Sequence, residues 1–209
     1  MFSFKTHFAN QIAKPKKLFI FIHGYYANGR DLLSLSPFFE GSLKDNLFLA
    51  PDAPNTNIFM PESFFWYNVD NLDPTYLTNE LKAILPLFTK YIEELKTEYK
   101  IDNQDIYLYG FSQGALLILH YGLTQDKDFA GLIAHSGGLI PEILDKIKLN
   151  NSPVCLIHGD QDMVIPHQYS ENSAKFLASK NIRNQIHLLH NLDHSINQES
   201  IDITNKFLK

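Results

Sequence analysis

Six short runs of this chain are apolar almost without interruption: residues 17–23, 47–50, 106–109, 129–134, 154–157 and 185–189. A strand with one wet face alternates apolar and polar positions, whereas a strand covered on both faces reads as a continuous apolar run. The six runs therefore predict interior strands of a sheet covered on both sides. Between them lie stretches with helical spacing, at 74–99, 115–121, 141–147, 168–180 and 195–208. Asp73 before Pro74 combines a good cap with a first-turn proline. Pro86 falls inside the same stretch, where it removes a backbone donor and crowds the preceding turn, so a kink or two shorter helices are expected there. Strand and helix alternate along the whole chain. That alternation predicts an α/β fold, a mostly parallel sheet with helices on both faces, whose functional residues gather on loops at the carboxyl ends of the strands.

No repeat, low-complexity tract or linker divides the pattern, so one domain over residues 1–209 is expected, too short to add a large lid domain. Hydrophobic residues at 44% and charged residues at 20% are ordinary for a folded globular chain, which sets aside disordered and fibrous classes. A formal net charge of −5 argues against a nucleic-acid partner, whose recognition rests on clustered lysine and arginine. No apolar run approaches the roughly 20 residues of a membrane-spanning helix, so no stable membrane insertion is expected. The N-terminus mixes Lys5, His7, Asn10 and Gln11 among its apolar residues and has no secretory core. Cys155 is the sole cysteine and lies in the 154–157 strand; it reads as a small buried hydrophobe in a reducing, cytoplasmic chain.

The candidate chemistry begins where the 106–109 strand runs into Gly110-Phe111-Ser112-Gln113-Gly114 and a helix follows at once. A strand, a sharp turn and a helix form the setting in which a serine hydroxyl is thrust out of a sheet edge, with glycines on either side so that neighbouring backbone can pack closely. The helix N-terminus beneath it favours developing negative charge. Ser112 is therefore the candidate nucleophile.

A serine hydroxyl needs a base to take its proton, and the base needs a carboxylate to hold its tautomer. In this arrangement both follow the serine, acid first, on loops after later strands. After 154–157 comes His158-Gly159-Asp160-Gln161-Asp162, which offers Asp162 as the acid with Asp160 as its rival. After the last strand comes Asn191-Leu192-Asp193-His194, which offers His194 as the base, with His187 and His190 as alternatives within or at the end of that strand. Two donors must meet the oxyanion. The amide of Gln113 is one, and the amide of Tyr25, on the loop after the first strand, is assigned as the other.

Several ordered pieces of the chain resemble the phospholipase/carboxylesterase group of α/β-hydrolases, which includes acyl-protein thioesterases and small bacterial carboxylesterases. His23-Gly24-Tyr25 with Asn28-Gly29 and Asp31-Leu32-Leu33 is similar to that group's oxyanion loop, and Pro51-Asp52-Ala53-Pro54 with Trp66-Tyr67 to the segment after its next strand. Gly110 to Gly114 matches the elbow, His135-Ser136-Gly137-Gly138 a following strand end, His158-Gly159 with Asp162, Val164 and Pro166 the acid loop, and His194-Ser195-Ile196 the histidine. The resemblance spans residues 18–196 and implies the α/β-hydrolase fold, Asp162 and His194 as acid and base, and an esterase with an open acyl groove, no metal and no cofactor. One departure stands out: where the group commonly has a second glycine after His-Gly, this chain has Tyr26, so the loop is expected to follow a different path or to be partly filled by the ring.

Ile58, Phe59, Met60, Phe64, Phe65, Trp66 and Tyr67 form the densest apolar and aromatic stretch outside the strands. On a loop they could line an acyl-binding groove or pack over the sheet. Trp66, Tyr26 and Phe65 are the residues expected to meet substrate. The resulting expectation is hydrolysis of a carboxylic ester or thioester of a small-molecule or acylated substrate through an acyl-enzyme. A lactone or dienelactone hydrolase, a peptidase, or a catalytically silent binding protein on the same scaffold are the alternatives.

Overall fold

The computed structural model describes residues 3–41, 45–57, 59–71 and 73–209. The predicted runs form β2 (Lys17–Ile22), β3 (Asn46–Pro51), β6 (Ile106–Phe111), β7 (Gly131–His135) and β8 (Val154–Gly159) in the interior of the sheet, and β9 (Asn184–Leu189) at its edge rather than in the interior as its apolar run predicted. With β1 (Thr6–Phe8) they form one sheet in the order β1-β3-β2-β6-β7-β8-β9. Every pairing in it is parallel except β1 with β3.

The continuous apolar character of these strands resolves into two alternating sets. Leu18, Ile20 and Ile22 of β2, Leu47 and Leu49 of β3, Ile106 and Leu108 of β6, and Val154 and Leu156 of β8 face a core shared with α2 (Pro74–Tyr99), α3 (Gln113–Leu123) and α5 (Gln168–Ser179). Phe19 and Phe21, Phe48, Tyr107 and Tyr109, and Cys155 and Ile157 face a second core with α1 (Gly29–Leu33) and α6 (Gln198–Phe207). Each interior strand thus loses both its faces from water, the main favourable contribution to folding, whereas β9 keeps exposed positions at Gln185 and Leu188.

Helix α2 begins at Pro74, where the Asp73 side chain accepts hydrogen bonds from the amides of Thr75 and Tyr76. It runs through Pro86 as one helix, so the two-helix alternative is not what forms; its buried face, with Leu81, Ile84, Phe88, Tyr91, Ile92 and Leu95, spans the proline. Packing of that apolar stripe outweighs the one backbone bond that proline deletes. Helix α6 starts at Gln198, later than its spacing suggests, because Asn197 and Ser200 cap each other reciprocally. Residues 194–196 are left as loop, and His194 is free to turn toward the sheet. Helix α4 (Pro141–Leu144) is a single turn, shorter than expected.

The aromatic stretch expected on a loop is instead a two-stranded antiparallel hairpin, β4 (Asn55–Asn57) with β5 (Met60–Phe65). Ile58 lies outside the described residues. Phe64 bridges to Ala27, which ties the hairpin to the loop after β2. The order of the sheet changes direction at β2: the chain goes from β2 outward to β3 and then returns to β6 on the other side. The loops leaving β2 and β6 therefore diverge at adjacent strand ends, the crevice where α/β sheets place their ligands.

Candidate active site

Ser112 sits between β6 and α3 with φ 55° and ψ −117°, a conformation that an L-residue holds only under constraint and that costs about 1–3 kcal/mol. Its amide donates to the His135 carbonyl at the end of β7, at 2.8 Å. The flanking glycines are sterically required. A Cβ on Gly110 would lie 2.4 Å from the Gly114 carbonyl oxygen, and one on Gly114 would lie 2.0 Å from that of Ile22. Only bare backbone lets the elbow fold back on itself and press against β2.

The loops after β8 and β9 are stitched together by Asp160 N–H to the Leu189 carbonyl and Gln161 N–H to the Leu192 carbonyl, each 2.9 Å. This brings three distant side chains into line. His194 Nε2 is 3.0 Å from Ser112 Oγ, and His194 Nδ1 is 2.7 Å from Asp162 Oδ2. The Phe111 ring lies against the imidazole, with centroids 4.9 Å apart. The other oxygen of Asp162 accepts from the amides of Val164 and Ile165, both at 2.9 Å. Burial acts to raise the pKa of this carboxyl, yet the hydrogen bond from His194, its charge and the Ile165 and Val164 amides outweigh it and hold the pKa below the ordinary value. Asp162 is therefore ionised at neutral pH.

The rivals are elsewhere. Asp160 Oδ2 is 2.7 Å from Nδ1 of His190, whose side chain is 81% exposed. That pair forms a separate contact on the surface. His187 lies within β9, under the electrostatic influence of Lys206 and Glu199, and burial lowers its pKa.

On the other side of the serine, Gly24 is close enough that a Cβ there would lie 3.2 Å from Ser112 Cβ. Tyr25 is the next residue on this loop, and Gln113 is the first residue of α3. A first-turn amide such as that of Gln113 has no carbonyl partner within its helix. The loop itself is held by His23 and Asp52. His23 Nδ1 donates to the Gly24 carbonyl at 2.8 Å, and Nε2 accepts the Ala53 amide at 3.1 Å, which fixes one neutral tautomer. Burial pushes its pKa down to about 4. Asp52 receives the Gly29 amide at 2.9 Å on one oxygen and faces His7 at 2.9 Å and Lys5 at 3.3 Å with the other.

Tyr26 takes φ 55°, in the left-handed region that favours glycine, inside a turn closed by Ala27 N–H to the Gly24 carbonyl at 3.3 Å. Its ring packs at a tilt against Tyr25 at 4.2 Å and meets Phe65 edge-on at 5.8 Å. Tyr25 and Phe65 are themselves 5.3 Å apart. Tyr26 and Phe65 thus join Tyr25 in one aromatic wall on the loop after β2 and the end of β5.

Trp66 does not join it, and its assignment as a substrate-contacting residue is corrected. The side chain is 1% exposed. It packs edge-on against Phe4 and Phe88, and its indole N–H donates to the His23 carbonyl at 2.9 Å. Successive side chains at a strand end point to opposite faces, so Phe65 faces the crevice and Trp66 the core. The backbone of Trp66 and Tyr67 has a second partner that the sequence reading missed. The Gln113 side chain accepts from the Trp66 amide at 2.8 Å and donates to the Tyr67 carbonyl at 2.6 Å, while the Tyr67 hydroxyl donates to the Gln113 carbonyl at 3.2 Å. A glutamine inside an otherwise apolar elbow and helix was the available signal, since a buried amide must satisfy its own donors and acceptors.

A parallel sheet with a serine elbow after β6, an acid loop after β8 and a histidine loop after β9 defines an α/β-hydrolase of the ester-hydrolysing class. The phospholipase/carboxylesterase family model matches residues 6–209, and the chain belongs to that family. It is 30% identical to acyl-protein thioesterase 1 homolog 1 of Dictyostelium discoideum, over 97% of this chain and 94% of that protein. It is 32% identical to acyl-protein thioesterase 1 of Kluyveromyces lactis, over 80% of this chain and 79% of that one. Among solved structures, esterase PE8 superposes with a TM-score of 0.90 at 29% identity, over 99% and 97% of the two chains. A phospholipase/carboxylesterase from Dyadobacter fermentans shares the fold, with a TM-score of 0.78 at 24% identity over 100% and 98%. Among the described residues, no helix is long and apolar enough to cross a membrane.

Proposed function

We propose that this chain hydrolyses carboxylic esters or thioesters of acylated or small-molecule substrates through a covalent acyl-enzyme on Ser112. The observation that carries the reading is the unbroken line Asp162 Oδ2, His194 Nδ1, His194 Nε2, Ser112 Oγ, with steps of 2.7 and 3.0 Å. His194 Nε2 takes the hydroxyl proton as Ser112 Oγ attacks the acyl carbonyl, and the imidazolium that forms is balanced by the Asp162 carboxylate. The Tyr25 and Gln113 amides receive the oxyanion. Collapse of the tetrahedral intermediate breaks the bond to the leaving oxygen or sulfur, which takes its proton from Nε2. Water then gives a proton to the same nitrogen, attacks the acyl-enzyme and frees the acid with Ser112 restored.

The aromatic wall of Tyr25, Tyr26 and Phe65 supplies apolar contact for the acyl or leaving group beside the serine. The thioesterase names of the relatives support including acyl thioesters among the substrates. The lone cysteine is no competing nucleophile: Cys155 is fully buried and burial pushes its thiol up to about 12, which fits a cytoplasmic chain that works without disulfides.

The test is Ser112→Ala assayed on aryl esters, acyl thioesters, lactones and peptides. Loss of ester and thioester turnover by roughly a million-fold in kcat, with an unchanged circular dichroism spectrum, is expected. Retained turnover in that variant, or no turnover of any ester by the wild-type chain, would refute the reading.

A further inference from the structure

Asp162 touches two imidazoles. Besides His194, its Oδ2 lies 3.1 Å from Nε2 of His158, a side chain of the same loop with no solvent exposure. The same Nε2 is 2.9 Å from the Ile165 carbonyl. Both neighbours are acceptors, a carboxylate and a carbonyl, so the geometry calls for a hydrogen on Nε2. The other ring nitrogen is fixed by Ser170 Oγ at 2.7 Å, and that oxygen is in turn 2.7 Å from the Gly137 carbonyl on the loop after β7. His158 is therefore clamped between α5 and the acid turn, with Nε2 hydrogen-bonded to the Ile165 carbonyl and also 3.1 Å from the oxygen that receives His194.

Resting on the acyl-enzyme reading above, we propose that His158 is a positioning residue for the reaction, whose Nε2–H holds Asp162 and shares its Oδ2 with His194. Two consequences follow from the geometry. Asp162 cannot rotate away from His194 without giving up the His158 contact together with its bonds to Val164 and Ile165. The shared oxygen also divides its accepting capacity, so His194 meets a partly neutralised carboxylate, and its imidazolium is less stabilised than it would be by an undivided one. The titratable groups facing this cluster are Asp162, His194 and, from the end of β7, His135. Burial is the largest influence on His158 and His135 and lowers the pKa of both.

Removing the N–H with His158→Leu should lower kcat about tenfold with KM little changed. It should also move the acidic limb of the kcat/KM profile upward by about half a pH unit, because Asp162 then serves His194 alone. His158→Gln restores an amide donor near the same place and should recover most of the rate and the original limb. A purely structural role predicts no movement of the limb in either variant, and that result would overturn the proposal.

Nitrogen-15 NMR of histidine-labelled wild-type protein gives an answer that needs neither a folded variant nor turnover. A proton on His158 Nε2 at neutral pH is expected, and a bare Nε2 would overturn the proposal. If Ser112 is acylated while His158 Nε2 is bare, the present inference fails and the Ser112 reading stands. If Ser112 is never acylated, the tautomer is still measurable and the two failures remain distinct.

Discussion

The two sides of Ser112 are built in opposite ways. On the acid–base side, polar atoms meet polar atoms at 2.7 to 3.1 Å: His194, His158 and two amides converge on one buried carboxylate. On the acyl side, three aromatic rings meet at centroid distances of 4.2 to 5.8 Å over a turn whose tyrosine holds φ 55°. Hydrogen bonds at short range are directional and leave few alternative arrangements, while ring contacts are worth about 0.5–1.5 kcal/mol each and tolerate sliding. In the function proposed above, the first wall carries the chemistry and the second the substrate range. A change on the first wall should fall on kcat and a change on the second on KM.

The largest test of that division is on the acid wall. Asp162→Asn should lower kcat by about ten thousand-fold, since an amide stabilises the wrong imidazole tautomer. Asp160→Asn, two residues away, keeps an acceptor for the Asn191 amide, releases the exposed His190 and should change kcat less than twofold. Similar losses in the two variants, read from steady-state kinetics, would mean the wrong carboxylate has been assigned.

Between the two walls, His23 supports the oxyanion loop only as a neutral ring. Its pKa falls from an ordinary 6.5 to about 4 through burial, so below pH 6.5 the unfolded chain binds a proton that the folded chain refuses. Stability is therefore full above about pH 6.5 and is lost as pH drops toward 4, by roughly 3 kcal/mol for this group alone. His135, lowered to about 3, acts in the same direction. Urea denaturation from pH 7 to 4 should show this slope, and His23→Asn should flatten it by about one proton. An unchanged slope would mean that His23 titrates normally in the fold.

The smallest effect belongs to the aromatic wall. Tyr26→Gly relieves a left-handed tyrosine but removes its packing against Tyr25, so stability should stay within about 1 kcal/mol. KM for aryl esters should rise about threefold with kcat unchanged. A hundredfold fall in kcat would show that the ring positions the oxyanion amides, and the separation of roles would fail.

The acid–base wall was also the more legible of the two in the sequence. Ser112 could be read because its glycines and its strand and helix flanks are local, and the geometry demands just those residue types. Asp162 and His194 needed their order along the chain and the family resemblance, since spacing alone left Asp160, His187 and His190 in play. The aromatic wall was only half legible. Tyr26 and Phe65 do meet each other, but whether Trp66 points in or out depends on strand parity in a hairpin that the apolar pattern does not reveal. Pro61 and Glu62 interrupt the apolar alternation there and hide the strand. The edge strand Thr6–Phe8 was missed because three residues carry no period. The Gln113 side chain was missed because its partners are backbone groups 46 and 47 residues away in sequence. Contacts set by local chemistry can be read from a sequence, while those set by which face a side chain takes after a distant turn cannot.

The account stands on a covalent bond to one oxygen. Acid-quenching the chain during turnover of an aryl ester and mapping the acyl group by peptide mass spectrometry tests that directly. One acyl equivalent on Ser112, absent from Ser112→Ala, is the predicted result. Sustained turnover with no acyl group on Ser112, or with the group on another side chain, would contradict it.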